Sequence, residues 1–537
     1  MAKRSWLFIA SLLLVLFLAA CASEPDESGE ETANGEGENK ETDVSEGEGG
    51  DLVIATQSDA VTLDPHGSND TPSSNVQANI YETLVVQDEN MELQPGLAEE
   101  WEAVEDNVWE FKLREGVTFH DGSEFNAEVV KANLERVIDP EVGSPRAFLY
   151  SMITDIEAVD DYTVRITTEY PFSPLPSHLA HPGGGMMSLE AIEGDYASME
   201  EGNEPGTYIN ENPIGTGYFK FESWSPGTEV VLTKNEDYWG EPARLDSVTF
   251  KVVPEDLTRI AELETGVAHV TDPLSPSDVA QVEATDGLYV NQQGSVRTNY
   301  IGFNMEKEPF DDVRVRQAIS MAIDKEQIIE GIYDGIGTPA IGPLAPDVFG
   351  YDESLSGIEY DPEQAKELLA EAGYEDGFST TIWTDDKREN VDTVTNIQAQ
   401  LSEIGIDVDI EVLEWGAFLE TTAQGDTEMF VLGWTTVTGD ADYGMYSLFH
   451  SDMVGEPGNR TFTKDDELDE LLDAARQEND PDKRLELYSE AQELLVDLAP
   501  WIYLHHQDYL LGVREEVKNL KQTPTQILDL HEVYIEQ

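Results

Sequence analysis

The chain is poor in cysteine and in positive charge. One cysteine, Cys21, stands among 537 residues, so no internal disulfide can form and no such cross-link holds the folded body. Lys and Arg number 30 against 111 Asp and Glu, a net charge of −81. A surface of that sign repels nucleic acid and anionic headgroups, which argues against nucleic acid as a partner. The acidic residues are scattered and not clustered. They therefore read as adaptation to high salt more than as cation capture, because at molar ionic strength the Debye length falls to about 3 Å and self-repulsion fades. Catalytic signatures are missing as well: there is no Gly-x-Ser-x-Gly elbow and no His-Glu-x-x-His helix, so the common hydrolase classes are excluded. The nine histidines are thinly spread. His505 and His506 are adjacent in a strand-like run and should point to opposite faces, while His120 and His181 sit beside turn residues. The expectation is a binding protein with no cofactor and no resident metal, not an enzyme.

What is present begins at the N-terminus. Lys3 and Arg4 form a positive region, and Trp6 to Ala20 supply an apolar run of signal-peptide length, too short to span a bilayer as a mature helix. The run ends in Leu18-Ala19-Ala20-Cys21, where small residues admit a peptidase and the thiol can be acylated. That pattern resembles the lipobox of bacterial lipoproteins and makes Cys21 the expected lipidation site. Residues 1–20 are then the signal peptide. Residues 21–50, rich in Glu, Gly, Ser, Asn and Asp and without aromatics, have nothing to bury and read as a disordered acidic tether. The expected location is the outer face of the cell membrane, or its periplasmic side if there are two membranes.

About 485 residues follow, more than one core usually organises, so at least two lobes are expected. Helix and strand signals mix throughout, with no fixed-period repeat. Asp361 reads as an N-cap with Pro362 and Gln364 behind it, and Leu368, Leu369 and Ala372 form an apolar stripe up to Gly373. Val394, Ile397, Leu401 and Ile404 keep helical spacing, and Ile406, Val408, Ile410 and Val412 then alternate as a strand. Trp109, Phe111 and Leu113, and separately Val164 and Ile166, predict strands in an earlier, strand-rich region. After a helix signal from Arg484 to Leu498, the stretch Trp501 to Ile535 alternates again and could return to the first lobe.

Ordered blocks then carry a resemblance: Gly96-Leu97-Ala98-Glu99-Glu100-Trp101, Trp109 to Gly116, Val117-Thr-Phe-His120-Asp121-Gly122, Phe125 to Val130, Pro213-Ile-Gly215-Thr216-Gly217-Tyr-Phe219, Asn235-Glu-Asp237-Tyr238-Trp239, and Phe310-Asp-Asp-Val-Arg314-Val-Arg316-Gln-Ala318 on to Lys325. Together they resemble the family 5 solute-binding proteins, which include peptide-, nickel- and glutathione-binding members. The resemblance implies an α/β, two-lobed periplasmic-binding-protein fold of type II, of the large peptide-binding kind. The implied layout is a first lobe at 51–297 with a subdomain inserted near 82–184, a second lobe at 298–499, and a return at 500–537. Arg314 and Arg316 read as structural salt-bridge formers more than ligand contacts.

The resemblance also implies a site. In peptide-binding members a Gly-Trp segment carries an Asp three residues after the Trp that holds the peptide ammonium; here Val437 stands at that position, after Gly433-Trp434-Thr435-Thr436. A buried ammonium without a counter-charge is costly, so an ordinary α-peptide fits less well. The run Thr438-Gly439-Asp440-Ala441-Asp442 looks more like the glutathione-binding branch, as do Tyr170-Pro171-Phe172 and Gly183-Gly184-Gly185-Met186-Met187. Asp440 and Asp442 are the candidates for an ammonium and Arg388 for a carboxylate. Trp434 reads as a wall, Thr436 and Thr438 as hydroxyl donors, and Gly184 and Gly185 as backbone donors to an anion. The implied function is capture of glutathione or a short peptide by lobe closure and delivery to ABC permease subunits, the binder being a monomer. The alternatives are a nickel or metal-chelate binder, or a sensing module without transport.

Overall fold

The computed structural model describes residues 49–455 and 458–536; Cys21, the signal peptide and nearly all of the acidic tether lie outside them. No helix of the described residues is long and apolar enough to cross a membrane.

The helix signals are realised with their caps. Pro362–Ala372 starts at Asp361, whose carboxylate accepts from the Gln364 N–H, and ends at Gly373 with φ 97°. Arg388–Glu403 buries Val394, Ile397 and Leu401 on one stripe. Gly405, at φ 88°, then turns the chain into the strand Ile406–Val412. This strand lies parallel to Phe378–Thr384, which is parallel in turn to Met429–Thr435. Three parallel strands with helices between them make an α/β half.

The other half is built on Asp51–Thr56, with Ser247–Val252 and Val270–Asp272 parallel on either side of it. Glu229–Lys234 and Phe219–Ser225 extend the edge antiparallel. Both halves belong to one eleven-stranded sheet because two long strands run through its middle. Leu288–Phe303 and Trp501–Arg514 pair antiparallel with each other along nearly their whole length. The register breaks between Gly294 and Thr298, where Ser295, Val296 and Arg297 stand against little more than Gln507. A bulge of this kind bends and twists a strand pair, and it falls where the sheet passes from one half to the other.

The second strand shows little alternation, being buried over most of its length. Its first part runs between two cores, Trp501 and Tyr503 on one side and Ile502 and Leu504 on the other. Its later residues Leu511 and Val513 join the core of the first half, with Leu52, Ile54 and Val248. Past Arg514 the expected alternation gives only two-residue pairings, Val517–Lys518 with Tyr534–Ile535 and Lys521–Gln522 with Leu528–Asp529.

A separate four-stranded antiparallel sheet, in the order Ala98–Glu105, Val108–Leu113, Thr163–Thr168, Ile153–Asp160, packs one face on the helix Ala127–Val137. Phe111, Leu113, Val164 and Ile166 meet Val130 and Leu134 in its core. Arg314 and Arg316 lie in the first turn of the helix Val313–Met321; Arg314 pairs with Asp312 at 2.5 Å. Arg316 instead donates to backbone carbonyls of Phe310 and Leu498.

Candidate ligand-binding cleft

Loops that leave the carboxyl ends of the parallel strands in both halves meet each other. In open α/β sheets that end is where ligands bind, because helix N-termini and adaptable loops converge there. After Phe378–Thr384 comes Arg388, at the start of its helix. Its Nη2 donates to the Ser277 Oγ at 2.7 Å and to the Ser275 Oγ at 2.5 Å, both in the loop after Val270–Asp272. Asp278 and Asp256 of the same half lie 3.8 and 3.9 Å from that nitrogen. Ser275 donates onward to Glu389 at 2.7 Å. Arg388, with 47% of its side chain exposed, thus forms a polar clasp between the halves.

The Gly-Trp segment leaves the strand Met429–Thr435 and packs on the four-stranded subdomain. Half-buried Trp434 lies 5.0 Å from the buried Tyr443 ring, and Tyr443 stacks on Phe148 of the subdomain at 6.0 Å. The indole Nε1 has no hydrogen-bond partner among the described residues. Thr438 Oγ1 accepts from the Asp440 N–H, and the Thr438 carbonyl accepts from Gln87 Nε2 at 2.6 Å. Gly439, at φ 65°, passes so close to Gln87 and Met91 that a Cβ would sit 3.0 Å from the Gln87 amide. Thr436 is buried, its N–H donating to Val296 in the bulge.

Asp440 and Asp442 both have guanidinium partners. Arg484 grips Asp440 from two nitrogens, at 2.8 and 3.1 Å. Arg476 grips both oxygens of Asp442 at 3.0 Å, and His178 Nε2 of the subdomain is 3.3 Å from the same carboxylate. Burial alone would raise the Asp442 pKa, but Arg476 and His178 hold it well below the usual carboxylate range. The His178 Nδ1 faces the Leu149 carbonyl at 2.8 Å, which turns the other ring nitrogen toward Asp442. Arg476 also lies 3.4 Å over the Tyr446 ring. These pairs tie the segment to the helices Asp466–Gln477 and Pro481–Leu498 and, through His178, to the subdomain.

Gly184 and Gly185 lie in a tight 3-10 turn. Their N–H groups close that turn on the His181 and Pro182 carbonyls, and a Cβ on Gly184 would come within 3.0 Å of the Tyr150 hydroxyl. Sequence reasoning places Trp434, Thr436, Thr438, Asp440 and Asp442 in one segment, and the structure keeps them together; Arg388 sits apart from them at the clasp.

Missed in the sequence were Arg476, Arg484 and His178, for which distance along the chain leaves no signal, and Arg297 in the bulge. Arg297 Nε donates to Asn299 Oδ1 at 3.0 Å and its Nη1 lies 3.4 Å from Thr435 Oγ1. The Asn299 amide faces His505 Nε2 at 3.2 Å, and His505 has its pKa pushed down to about 3, by burial first and then by His506 and Arg297. Lone positive charge entering an apolar strand, Arg297 before Tyr300 to Phe303, was the available clue.

With this geometry in view, comparison with known proteins is informative. Residues 92–456 match the model of bacterial extracellular solute-binding proteins, family 5 Middle. The glutathione-binding protein GsiB of Escherichia coli (strain K12) is 36% identical over 464 residues, spanning 84% of this chain and 88% of that protein. The ABC transporter-associated periplasmic binding protein DppA from Helicobacter pylori, in complex with peptide STSA, superposes with a TM-score of 0.82 at 33% identity, over 92% of this chain and 99% of that one. The oligopeptide-binding protein AppA from Bacillus subtilis, in complex with a nonapeptide, gives 0.81 at 26% identity, over 91% and 100%. The two halves joined by paired strands are therefore the two-lobed type II fold of the periplasmic peptide-binding proteins, and the chain belongs to the family 5 bacterial extracellular solute-binding proteins, which bind their solutes and are not enzymes.

Proposed function

We propose that the chain is the lipid-anchored substrate-binding protein of an ABC importer, which captures glutathione or a short peptide by lobe closure and delivers it to the permease. The observation that carries the closure is the Arg388 clasp: two strands join the lobes at a bulge, and the Arg388 guanidinium donates to two serines of the opposite lobe. A solute that bridges the lobes favours the arrangement in which such contacts form, and this differential affinity moves the hinge. Arg388 then serves closure first, with any contact to a carboxylate made beside the clasp. Trp434 is the wall against which the solute lies, its free indole N–H and the Thr436 and Thr438 hydroxyls giving it polar direction. Asp440 and Asp442 set the shape of the segment through Arg484 and Arg476, and Gly184 and Gly185 shape the loop beneath Tyr443.

The cargo reading rests on the glutathione-binding relative and on Val437 at the position where an ammonium-binding Asp is expected. The anchor rests on Leu18-Ala19-Ala20-Cys21. A thermal-shift screen in molar salt with glutathione, its disulfide, di- and tripeptides and nickel tests the cargo. Stabilisation by glutathione or its disulfide supports it; a shift with peptides alone redirects it to peptides, and a shift with nickel alone overturns it. Replacement of Cys21 by Ala should release the protein from cells and abolish palmitate labelling.

A further inference from the structure

Most arginines of the described residues have a carboxylate neighbour; Arg146, held by Ser68, Ser74 and His181, and Arg316, held by backbone carbonyls, are fully buried exceptions. Arg114, Arg136, Arg165, Arg259, Arg314, Arg388, Arg476, Arg484 and Arg514 all form ion pairs. Arg297 forms none with the described residues, its side-chain partners being the neutral Asn299 and Thr435. It is half-buried at the register break between the lobes, at the carboxyl end of Met429–Thr435.

Its position is prepared. Arg297 and Asn299 stand beside Thr435 and Gly433 across the strand pair. A Cβ on Gly433 would fall 2.3 Å from both Arg297 Nη2 and Asn299 Oδ1 and 2.6 Å from Arg297 Cζ, so the guanidinium and its Asn299 partner occupy the space any other residue would need. Asn299 Oδ1 fixes Nε, and Asn299 is itself held by His505 and by Gln507 at 3.1 Å. With Nε and Nη1 directed by neutral groups, Nη2 remains as a charged donor with no hydrogen-bond partner among the described residues, on a planar, pre-oriented fork. The neighbours are suited to leaving it so: burial keeps His505 neutral, and Tyr509 adds a hydroxyl 3.1 Å from Thr435 Oγ1.

We propose that Arg297 is the specificity residue that takes a carboxylate of the solute at the hinge, so that the cargo is a peptide-like acid and not a neutral or cationic compound. This rests on the function proposed above and sharpens it. A guanidinium held in place and without its own counter-ion is matched by a carboxylate, which accepts two parallel hydrogen bonds from it. Gly433 of the Gly-Trp pair then has a stated task, to seat the guanidinium, while Trp434 packs from the opposite face of the strand.

The test is calorimetric titration of the full mature chain with glutathione and with trialanine, each as the free acid and with each carboxylate in turn blocked as the amide. Wild type should prefer one free acid over its amide by tenfold or more. Arg297→Gln should bind the acid at least tenfold more weakly and hold acid and amide within about twofold of each other, while Arg297→Lys falls between. Gly433→Ala, which leaves the charge in place but removes its seat, should reduce the preference as well. Circular dichroism and the thermal midpoint of each variant check that it folds. An acid-to-amide ratio in Arg297→Gln equal to that of wild type overturns the inference and leaves the function standing. Binding of none of these compounds by wild type overturns both.

Discussion

At the scale of single residues, the two carboxylates of the Gly-Trp segment are the clearest case of structure adding what sequence withholds. Asp442 sits with Arg476, and removing its charge leaves a buried guanidinium uncompensated, a change that typically costs about 3–5 kcal/mol. Asp442→Asn should therefore lower the unfolding free energy, read by urea denaturation, by about that much at neutral pH. Because its folded pKa is held below the ordinary value, by Arg476 and His178 against the effect of burial, the stabilisation is full above about pH 4 and is lost as pH falls further. The variant should accordingly lose little more stability between pH 4 and 2 at this site, where wild type does. Asp272 has the opposite sign. Burial pushes its pKa up to about 6, so ionising it costs stability as pH rises from about 4 to 6. Asp272→Asn should gain on wild type across that window, by up to about 3 kcal/mol, and the difference should level off above it. Unfolding curves from pH 2 to 4 check the first sign and curves at pH 4, 5, 6 and 7 the second. The segment itself was legible in the sequence because its residues are contiguous. Its partners were not, since Arg476 and Arg484 lie 34 and 44 residues away from the carboxylates they grip, and nothing local marks which cation folds back.

At the scale of elements, legibility followed local chemistry. The helix Pro362–Ala372 was readable from its cap, proline and terminal glycine, and Ile406–Val412 from its alternation, because each buries a single face. The hinge strands were harder. Trp501–Arg514 is covered on both faces, so its pattern is two apolar runs on either side of His505-His506-Gln507-Asp508, and period two is lost. Trp501 shows what that burial is worth: it is 2% exposed, stacks on Tyr300 with ring centroids 3.4 Å apart and touches Phe449. Trp501→Ala should cost about 3–5 kcal/mol, read by denaturant unfolding, because a packed core collapses only in part around so large a cavity. The register break at Ser295 to Arg297 had no sequence signal beyond a lone arginine, yet it is where the two lobes turn into each other.

At the scale of the whole molecule, charge and hinge set the behaviour. A net charge of −81 gives a self-repulsion that salt relieves, with a Debye length of about 10 Å at 0.1 M and about 3 Å at 1 M. Raising sodium chloride from 0.1 to 2 M should raise the thermal midpoint by several degrees, and equal midpoints would remove the high-salt reading of the composition. The two-lobed fold was implied by ordered blocks spread over the chain, whereas the clasp that spans the lobes, Arg388 with Ser275 and Ser277, joins residues more than a hundred positions apart. The account as a whole stands on the claim that these lobes close on a peptide-like solute. Its most direct test is titration of the purified chain in molar salt with glutathione, its disulfide and short peptides, followed by small-angle scattering. The account predicts saturable one-to-one binding of at least one of them, with the saturated protein smaller in radius of gyration than the free protein. Absence of binding to every one of these compounds, under conditions where the protein is folded, would contradict it.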